Sequence, residues 1–201
     1  ALDLTRDPDQ VIRDEWDSFV DYNEADLVRL RILGAPRSQG GLLNTAQFAR
    51  NLGVDAKTAA GYLDLLVDLL IVRRLPPWHA NLGKRMVKSP KVYVRDSGLV
   101  HALLNIADKE SLLAHPVVGQ SWECFVTENL LVCAGDKAQG YFYRTSGGAE
   151  IDLLLSWPDD SLWAVEIKRS LGPKVERGFH AACEDLAPAR VGDGFGALDF
   201  G

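Results

Sequence analysis

Two short runs, residues 150–157 and 163–168, flank the turn-forming Pro158-Asp159-Asp160, and together they restrict the fold more than any other feature. Ile151, Leu153, Leu155 and Trp157 recur with period two, as do Trp163, Val165 and Ile167, which is the pattern of half-buried strands. The other face then carries Glu150, Asp152, Glu166 and Lys168. A hairpin closed at 158–160 sets Asp152 opposite Glu166 and Glu150 opposite Lys168. Directly opposed Cβ atoms lie about 4.5–5.5 Å apart, and two like charges about 4 Å apart repel by roughly 4 kcal/mol at an effective dielectric near 20.

A cation would offset that repulsion. Mg²⁺ is bound by one or two carboxylates plus water and phosphate oxygens, and Lys168, two residues beyond Glu166, points to the same place. Metal and ammonium would then serve a phosphate and its attacking water. The plainer reading is a cross-strand ion pair between Glu150 and Lys168, worth under about 1 kcal/mol at a surface. A register shift of two would instead pair Asp152 with Lys168. Upstream, residues 119–131 read as a helix, with Trp122, Phe125, Val126, Leu130 and Cys133 at helical spacing and Glu123 at the edge of that stripe. Glu123 is either a solvated residue or a third acid.

The order of helix with Glu, strand, strand with Asp, strand with Glu-x-Lys, then helix is similar to the PD-(D/E)xK nuclease-like fold. More closely, Tyr141-Phe142-Tyr143-Arg144-Thr145, Glu150-Ile151-Asp152 and Val165-Glu166-Ile167-Lys168 resemble the C-terminal domain of a large group of prokaryotic AAA-type ATPases. The resemblance extends upstream through residues 90–99 and Leu75-Pro76-Pro77-Trp78, and covers most of residues 25–186. It implies Glu123 as the helix acid, Asp152 and Glu166 as metal carboxylates with Glu123 in support, and Lys168 as the catalytic lysine, with Mg²⁺ as cofactor. Glu150 and Arg144 match the pattern without an assigned role. Ile151 stands where the motif has proline, a change on the core-facing side.

The chain has 201 residues, 47% hydrophobic and 25% charged, enough for one ordinary core and a smaller second one. Its acidic, polar first residues lack the pattern of a secretory signal. The longest apolar stretch, residues 62–72, is interrupted by Asp64 and Asp68, so no membrane span is expected, and the reading is of a cytoplasmic protein. Cys124, Cys133 and Cys183 are scattered and odd in number, and are expected to be reduced, buried thiols. His79, His101, His115 and His180 lack zinc spacing.

The formal charge of -6 is unevenly spread. Nine Asp and Glu precede Leu27, whereas residues 73–95 hold Arg73, Arg74, Lys84, Arg85, Lys88, Lys91 and Arg95 and no acid. Such a stretch can contact phosphates, or it can be a solvated loop or a docking face for an acidic segment. Just before it, Asn44 can cap a helix over 45–51 that Gly53 ends, and Asp55 can cap a second from Ala56 to about Leu70. Strands over 71–75 and 91–94 follow. This is the outline of a winged helix-turn-helix, and the family resemblance agrees. Lys57, Thr58 and Tyr62 would lie on the groove-facing part of the second helix, and Arg73, Arg74, Lys84, Arg85 and Lys88 would join Lys57 and Thr58 in contacting nucleic acid. Asp64 and Asp68 weigh against a recognition helix, and winged helices also serve as protein-interaction modules.

The expected fold is mixed α/β: a restriction-endonuclease-like αβββαβ domain over 97–201, preceded by a small winged helix-turn-helix module over 26–96 and an acidic lead-in over 1–25. With no Gly/Ser-rich linker, the modules should pack rigidly. No phosphate-cradling Gly-x-x-x-x-Gly-Lys-Ser/Thr is present, so ATP belongs to an ATPase module that the resemblance places before residue 1. Pro173 should start an amphipathic helix with Val175, Phe179, Ala182, Cys183 and Leu186 on one face. The nuclease-like fold then needs one more strand, and the passage from Ala189-Arg190 to Val191-Gly192 reads as a place where residues are missing.

Two functions fit. One is a non-catalytic module that binds DNA or a partner protein and couples that event to the ATPase. The other is a Mg²⁺-dependent DNA endonuclease using Glu123, Asp152, Glu166 and Lys168.

Overall fold

The computed structural model describes residues 39–79, 85–169 and 176–193. The acidic lead-in, Lys84, Pro173 and Val175 lie outside these residues. The described chain is mixed α/β, with two sheets and six α-helices.

Helix α1 (Thr45–Leu52) begins where the Asn44 side chain accepts the Gln47 N–H, and stops at Gly53, whose φ of 66° is the left-handed conformation that glycine adopts without strain. Asp55 caps α2 (Ala56–Asp68) by accepting the N–H groups of Lys57 and Thr58. Strands β1 (Gly41–Leu42), β2 (Val72–Leu75) and β3 (Lys91–Val94) form an antiparallel sheet in the order β1-β3-β2. Both caps and both strands thus arise where the turn residues and apolar runs put them. Phe48, Leu63, Leu66, Val72, Val92 and Val94 make the core, joined by Val100 of α3 (Ser97–Leu103) and flanked by Leu112 of α4 (Lys109–Ala114).

The second sheet is built from β4 (Gln139–Arg144), β5 (Glu150–Ser156), β6 (Leu162–Glu166) and β7 (Arg190–Asp193), hydrogen-bonded in that order. The first three strands are antiparallel and β7 lies parallel to β6. With α5 (Val118–Ala134) before the sheet and α6 (Arg177–Leu186) between β6 and β7, the chain order is α-β-β-β-α-β. The strand expected to be lost near 190–191 is therefore formed, by residues 190–193 themselves.

The β5–β6 register pairs Leu153 with Val165 and Leu155 with Trp163, as the 158–160 turn requires. Beyond that the alternation departs from expectation. Tyr141 faces Leu154 but Tyr143 faces Ile151, so β5 spends one extra residue opposite Phe142 in a bulge. Ile151 consequently packs with Leu154 and Phe179, whereas Leu153 and Leu155 pack with Tyr93 and Cys124. Both faces of β5 are covered, where half-burial was expected from the alternation.

Helix α5 also differs from its apolar stripe. Phe125 is 42% exposed and Cys133 is exposed, while Ser121, Cys124 and Thr127 are buried. The reason is that α5 contacts two neighbours at once. Val126 and Cys124 share a cluster with both sheets, and the Cys124 thiol meets the Val94 carbonyl at 3.2 Å, a close approach that favours small side chains. Of the three thiols expected to be buried, only Cys124 is; Cys183 is intermediate.

The two units are joined without a linker. Leu75 and Tyr93 of the first sheet enter the cluster of Phe142, Leu153 and Val165 in the second. Backbone bonds from Trp78 N–H to the Phe142 carbonyl (2.7 Å) and from Val87 N–H to the Arg144 carbonyl (3.1 Å) tie the β2–β3 connection to the edge of β4.

Candidate functional site

The bulge in β5, the end of β6 and the first turns of α5 bring the acidic side chains to one end of the second sheet. Asp152 and Glu166 are both buried, at 9% and 4% exposure. Asp152 Oδ2 accepts the Ile167 N–H at 3.0 Å, which fixes its carboxylate against β6. An open pocket of about 330 Å³ is lined by Glu150, Asp152, Glu166, Lys168, Glu176 and the start of α6 at Arg177 and Gly178.

A residue outside the expected site dominates it. Lys91, at the start of β3 in the other sheet, is 3% exposed. Its Nζ lies 2.9 Å from Glu123 Oε1, 3.5 Å from Glu150 Oε1 and 3.5 Å from Asp152 Oδ1. The ammonium also stands 5.6 Å from the centroid of the Phe142 ring, within cation–π range. Tyr93, two residues along the strand and on the same face, donates its hydroxyl to Glu123 Oε1 at 2.6 Å. Burial acts to pull the Lys91 pKa down, but Glu123, Asp152 and Glu150 outweigh it and hold the ammonium above its ordinary value. Burial pushes the Glu123 carboxyl up, aided by Asp152 and opposed by Lys91 and Tyr93.

Lys168 forms a second, more open centre. Its Nζ is 2.9 Å from Glu166 Oε1 and 2.9 Å from Glu176 Oε1, so the Glu150–Lys168 pair of the plainer reading gives way to two others. Glu150 turns to Lys91 and to Arg144, at 3.4 Å. Burial, followed by the charge of Asp152, raises the Glu166 carboxyl to about 7 despite Lys168. The Lys168 ammonium, disfavoured by burial, is held above the usual lysine value by its hydrogen bonds to Glu166 and Glu176.

The trio Glu123, Asp152 and Glu166, as arranged, does not fit a resident Mg²⁺ ion. Among the described residues no three His, Cys, Asp or Glu side chains group as a metal-ligand set. Glu123 Oε1 accepts from both Lys91 and Tyr93, and Asp152 is held through both oxygens. The space between them is filled by an ammonium.

The basic stretch is largely turned inward. Arg73 and Arg95 both bind Glu128 of α5, through Arg73 Nη2 at 2.9 Å and Arg95 Nε at 2.8 Å, and Arg74 pairs with Asp64. Arg85, Lys88 and Lys57 are exposed, and the Thr58 hydroxyl is engaged with Asp55 at 2.6 Å. Lys84 lies outside the described residues. Sequence reasoning counted Lys91 as one more positive charge; its place at the first residue of an otherwise apolar strand, Lys91-Val92-Tyr93-Val94, two before Tyr93, was the available signal of an inward-facing cation.

No helix of the described residues is long and apolar enough to cross a membrane. The uncharacterized protein Rv2008c of Mycobacterium tuberculosis and the uncharacterized protein Mb2031c of Mycobacterium bovis are each 43% identical to this chain over 152 residues, 76% of this chain and 34% of theirs. The chain thus spans about a third of the length of these relatives. No solved structure matches. A family model described as domain of unknown function (DUF4143), a domain found in ATPase-associated proteins, matches residues 118–195, which hold Glu123, Glu150, Asp152, Glu166 and Lys168. Lys91 falls in the other match, over residues 7–110, and by that match the chain belongs to the family of the domain of unknown function DUF8612.

Proposed function

We propose that this chain is a non-catalytic binding module of a prokaryotic AAA-type ATPase, in which a winged helix-turn-helix and a restriction-endonuclease-like αβββαβ unit together engage DNA or a partner protein. The observation that carries the reading is Lys91: its buried ammonium stands among the carboxylates where catalysis would require a metal ion. The order α5-β4-β5-β6-α6-β7 supports the nuclease-like fold, and the helix pair with a β1-β3-β2 sheet supports the winged helix. The match to a domain found in ATPase-associated proteins, and relatives more than twice as long, support an ATPase partner in the same polypeptide, which would be where ATP binds. Of the described cations expected to contact DNA, Lys57, Arg85 and Lys88 are exposed. Arg73 and Arg74 contribute through the packing of β2, since their guanidinium groups are committed to Glu128 and Asp64.

The alternative is a Mg²⁺-dependent endonuclease. One observation favours it: burial, followed by the Asp152 charge, raises the Glu166 carboxyl to about 7, and a cation in the pocket would relieve the part that is repulsion. One or two carboxylates plus water suffice for Mg²⁺, but Lys91 must first leave Asp152.

The experiment is binding and cleavage of supercoiled and linear DNA by the 201-residue chain, with EDTA or with Mg²⁺ or Mn²⁺, for wild type, Asp152→Ala and Lys168→Ala. Binding that persists in EDTA and in both variants, without cleavage, is the expected result. Metal-dependent cleavage by wild type that folded Asp152→Ala lacks would overturn the non-catalytic reading.

A further inference from the structure

Lys91 belongs to the first sheet, whereas the carboxylates it holds come from α5 and from β5 of the second sheet and fall in a different family match. The lysine cannot swing away as a loop residue would. Its backbone is paired on one side with Leu42 and on the other with Leu75, so its Cα is fixed in the middle strand of a sheet. From there the ammonium stands 5.6 Å from the Phe142 ring centroid and reaches oxygens of Glu123, Glu150 and Asp152 within 2.9–3.5 Å. An ammonium offers three donors, and three carboxylates surround it. Mg²⁺ or Mn²⁺ binds carboxylate oxygen near 2.1 Å, so an ion bridging Glu123 and Asp152 would have to take the volume Nζ fills.

We propose that Lys91 is the resident cation of the carboxylate cluster, supplied by the first sheet, and that a divalent metal ion competes with it for Glu123 and Asp152 instead of binding beside it. The inference rests on the non-catalytic reading and sharpens it, because it names what keeps the metal out. Lys91, with Arg144 on the outer side of Glu150, sets two cations against three carboxylates and leaves the cluster net negative, so removing the buried ammonium opens an oxygen-lined cavity suited to a hard divalent cation. Withdrawal of the β2–β3 hairpin from α5 would have the same effect.

The test is Mn²⁺ titration followed by electron paramagnetic resonance and by calorimetry, on wild type, Lys91→Met, Lys91→Arg and the double variant Lys91→Met/Asp152→Asn. Methionine keeps the apolar stem and removes the charge. Lys91→Met should bind one Mn²⁺ at least about tenfold more tightly than wild type, with the gain lost in the double variant and absent in Lys91→Arg. Equal Mn²⁺ affinity in wild type and Lys91→Met overturns the proposal, as does a gain that survives Asp152→Asn. Should Lys91→Met be unfolded, millimolar Mn²⁺ must restore its circular dichroism spectrum and thermal transition; failure to restore them counts against competition. Metal competition can fail while EDTA-resistant DNA binding stands, and the reverse, so the two readings are judged separately.

Discussion

Two lysines serve the same acidic end of the second sheet, and they differ in where they come from and how they are held. Lys91 reaches in from another sheet, its side chain 4% exposed, and is surrounded by three carboxylates. Lys168 lies two residues past the end of β6, its side chain 31% exposed, and its second partner, Glu176, is 71% exposed. A charge without water depends on its partners for its whole solvation, whereas an exposed pair exchanges protein oxygens for water at small cost. The motif that suggests chemistry contains the loosely held lysine; the structural weight rests on the one outside it.

The largest expected effect follows from removing the buried partner. Lys91→Met leaves Glu123 and Asp152 buried without their cation, and breaking a buried pair in this way costs about 3–5 kcal/mol. Chemical denaturation of the variant should show this loss, and Lys91→Met/Glu123→Gln should recover part of it, since the neutral amide no longer needs the ammonium. A loss below about 1 kcal/mol, the range of exposed pairs, would remove the distinction between the two lysines.

The sequence made this centre hard to see, for a physical reason. Caps, turns and the β5–β6 register are local decisions: Asn44 and Asp55 bond their own helices, and Trp157 and Ser161 close the turn that aligns Leu153 with Val165. These were legible. The sides of α5 and the bulge in β5 are decided by contact with a second sheet, so Phe125 and Cys133 face outward while Ser121 and Thr127 are buried, against the apolar periodicity. Of the expected site, Asp152 and Glu166 do adjoin one pocket, and Glu123 does approach Asp152. That their charges meet a lysine from β3 depends on a contact 32 residues apart in the chain, between Lys91 and Glu123, which no spacing rule encodes. The pairing within the basic stretch was hidden for the same reason: Arg73 and Arg95 meet at Glu128 of α5, a contact that spacing does not reveal.

The pocket itself can be disturbed without touching a charge. A Cβ on Gly178 would sit 2.5 Å from the Gly148 carbonyl oxygen, so Gly178→Ala must push the start of α6 off the β4–β5 turn. Overpacking of this kind costs typically 1–3 kcal/mol. Gly61→Ala is the control, because its Cβ would meet nothing within 4 Å and alanine favours helix by roughly 0.5–1 kcal/mol. Opposite shifts in denaturation midpoint are expected; a neutral Gly178→Ala would mean that α6 is free to move, and the Lys168 side of the site would be looser than described.

A smaller and pH-dependent effect belongs to Glu166. Its carboxyl titrates near 7 in the folded protein against an ordinary 4.5, so the folded state binds the proton more tightly. The stability this contributes is fully present below about 4.5 and is lost as pH rises through about 7. Glu166→Gln removes the titration. In EDTA, the melting temperature of wild type should fall relative to Glu166→Gln across that window and run parallel to it above. Parallel curves across the whole window would show that Asp152 and Lys168 already balance each other at Glu166.

The smallest effect is expected where the motif is most suggestive. Lys168→Met removes an ammonium from Glu166 and Glu176, but Glu176 is open to water and loses little. Glu166 is buried, yet with its carboxyl near 7 it can take up a proton and shed its charge once the lysine is gone. The expected loss near neutral pH is under about 1 kcal/mol, several-fold below that of Lys91→Met, and it should shrink further in high salt, because exposed pairs are screened within a Debye length. A salt-independent loss comparable to that of Lys91→Met would reverse the comparison. It would mean that Lys168 is itself a buried counter-ion, and that Glu166 stays ionised because the fold depends on the pair.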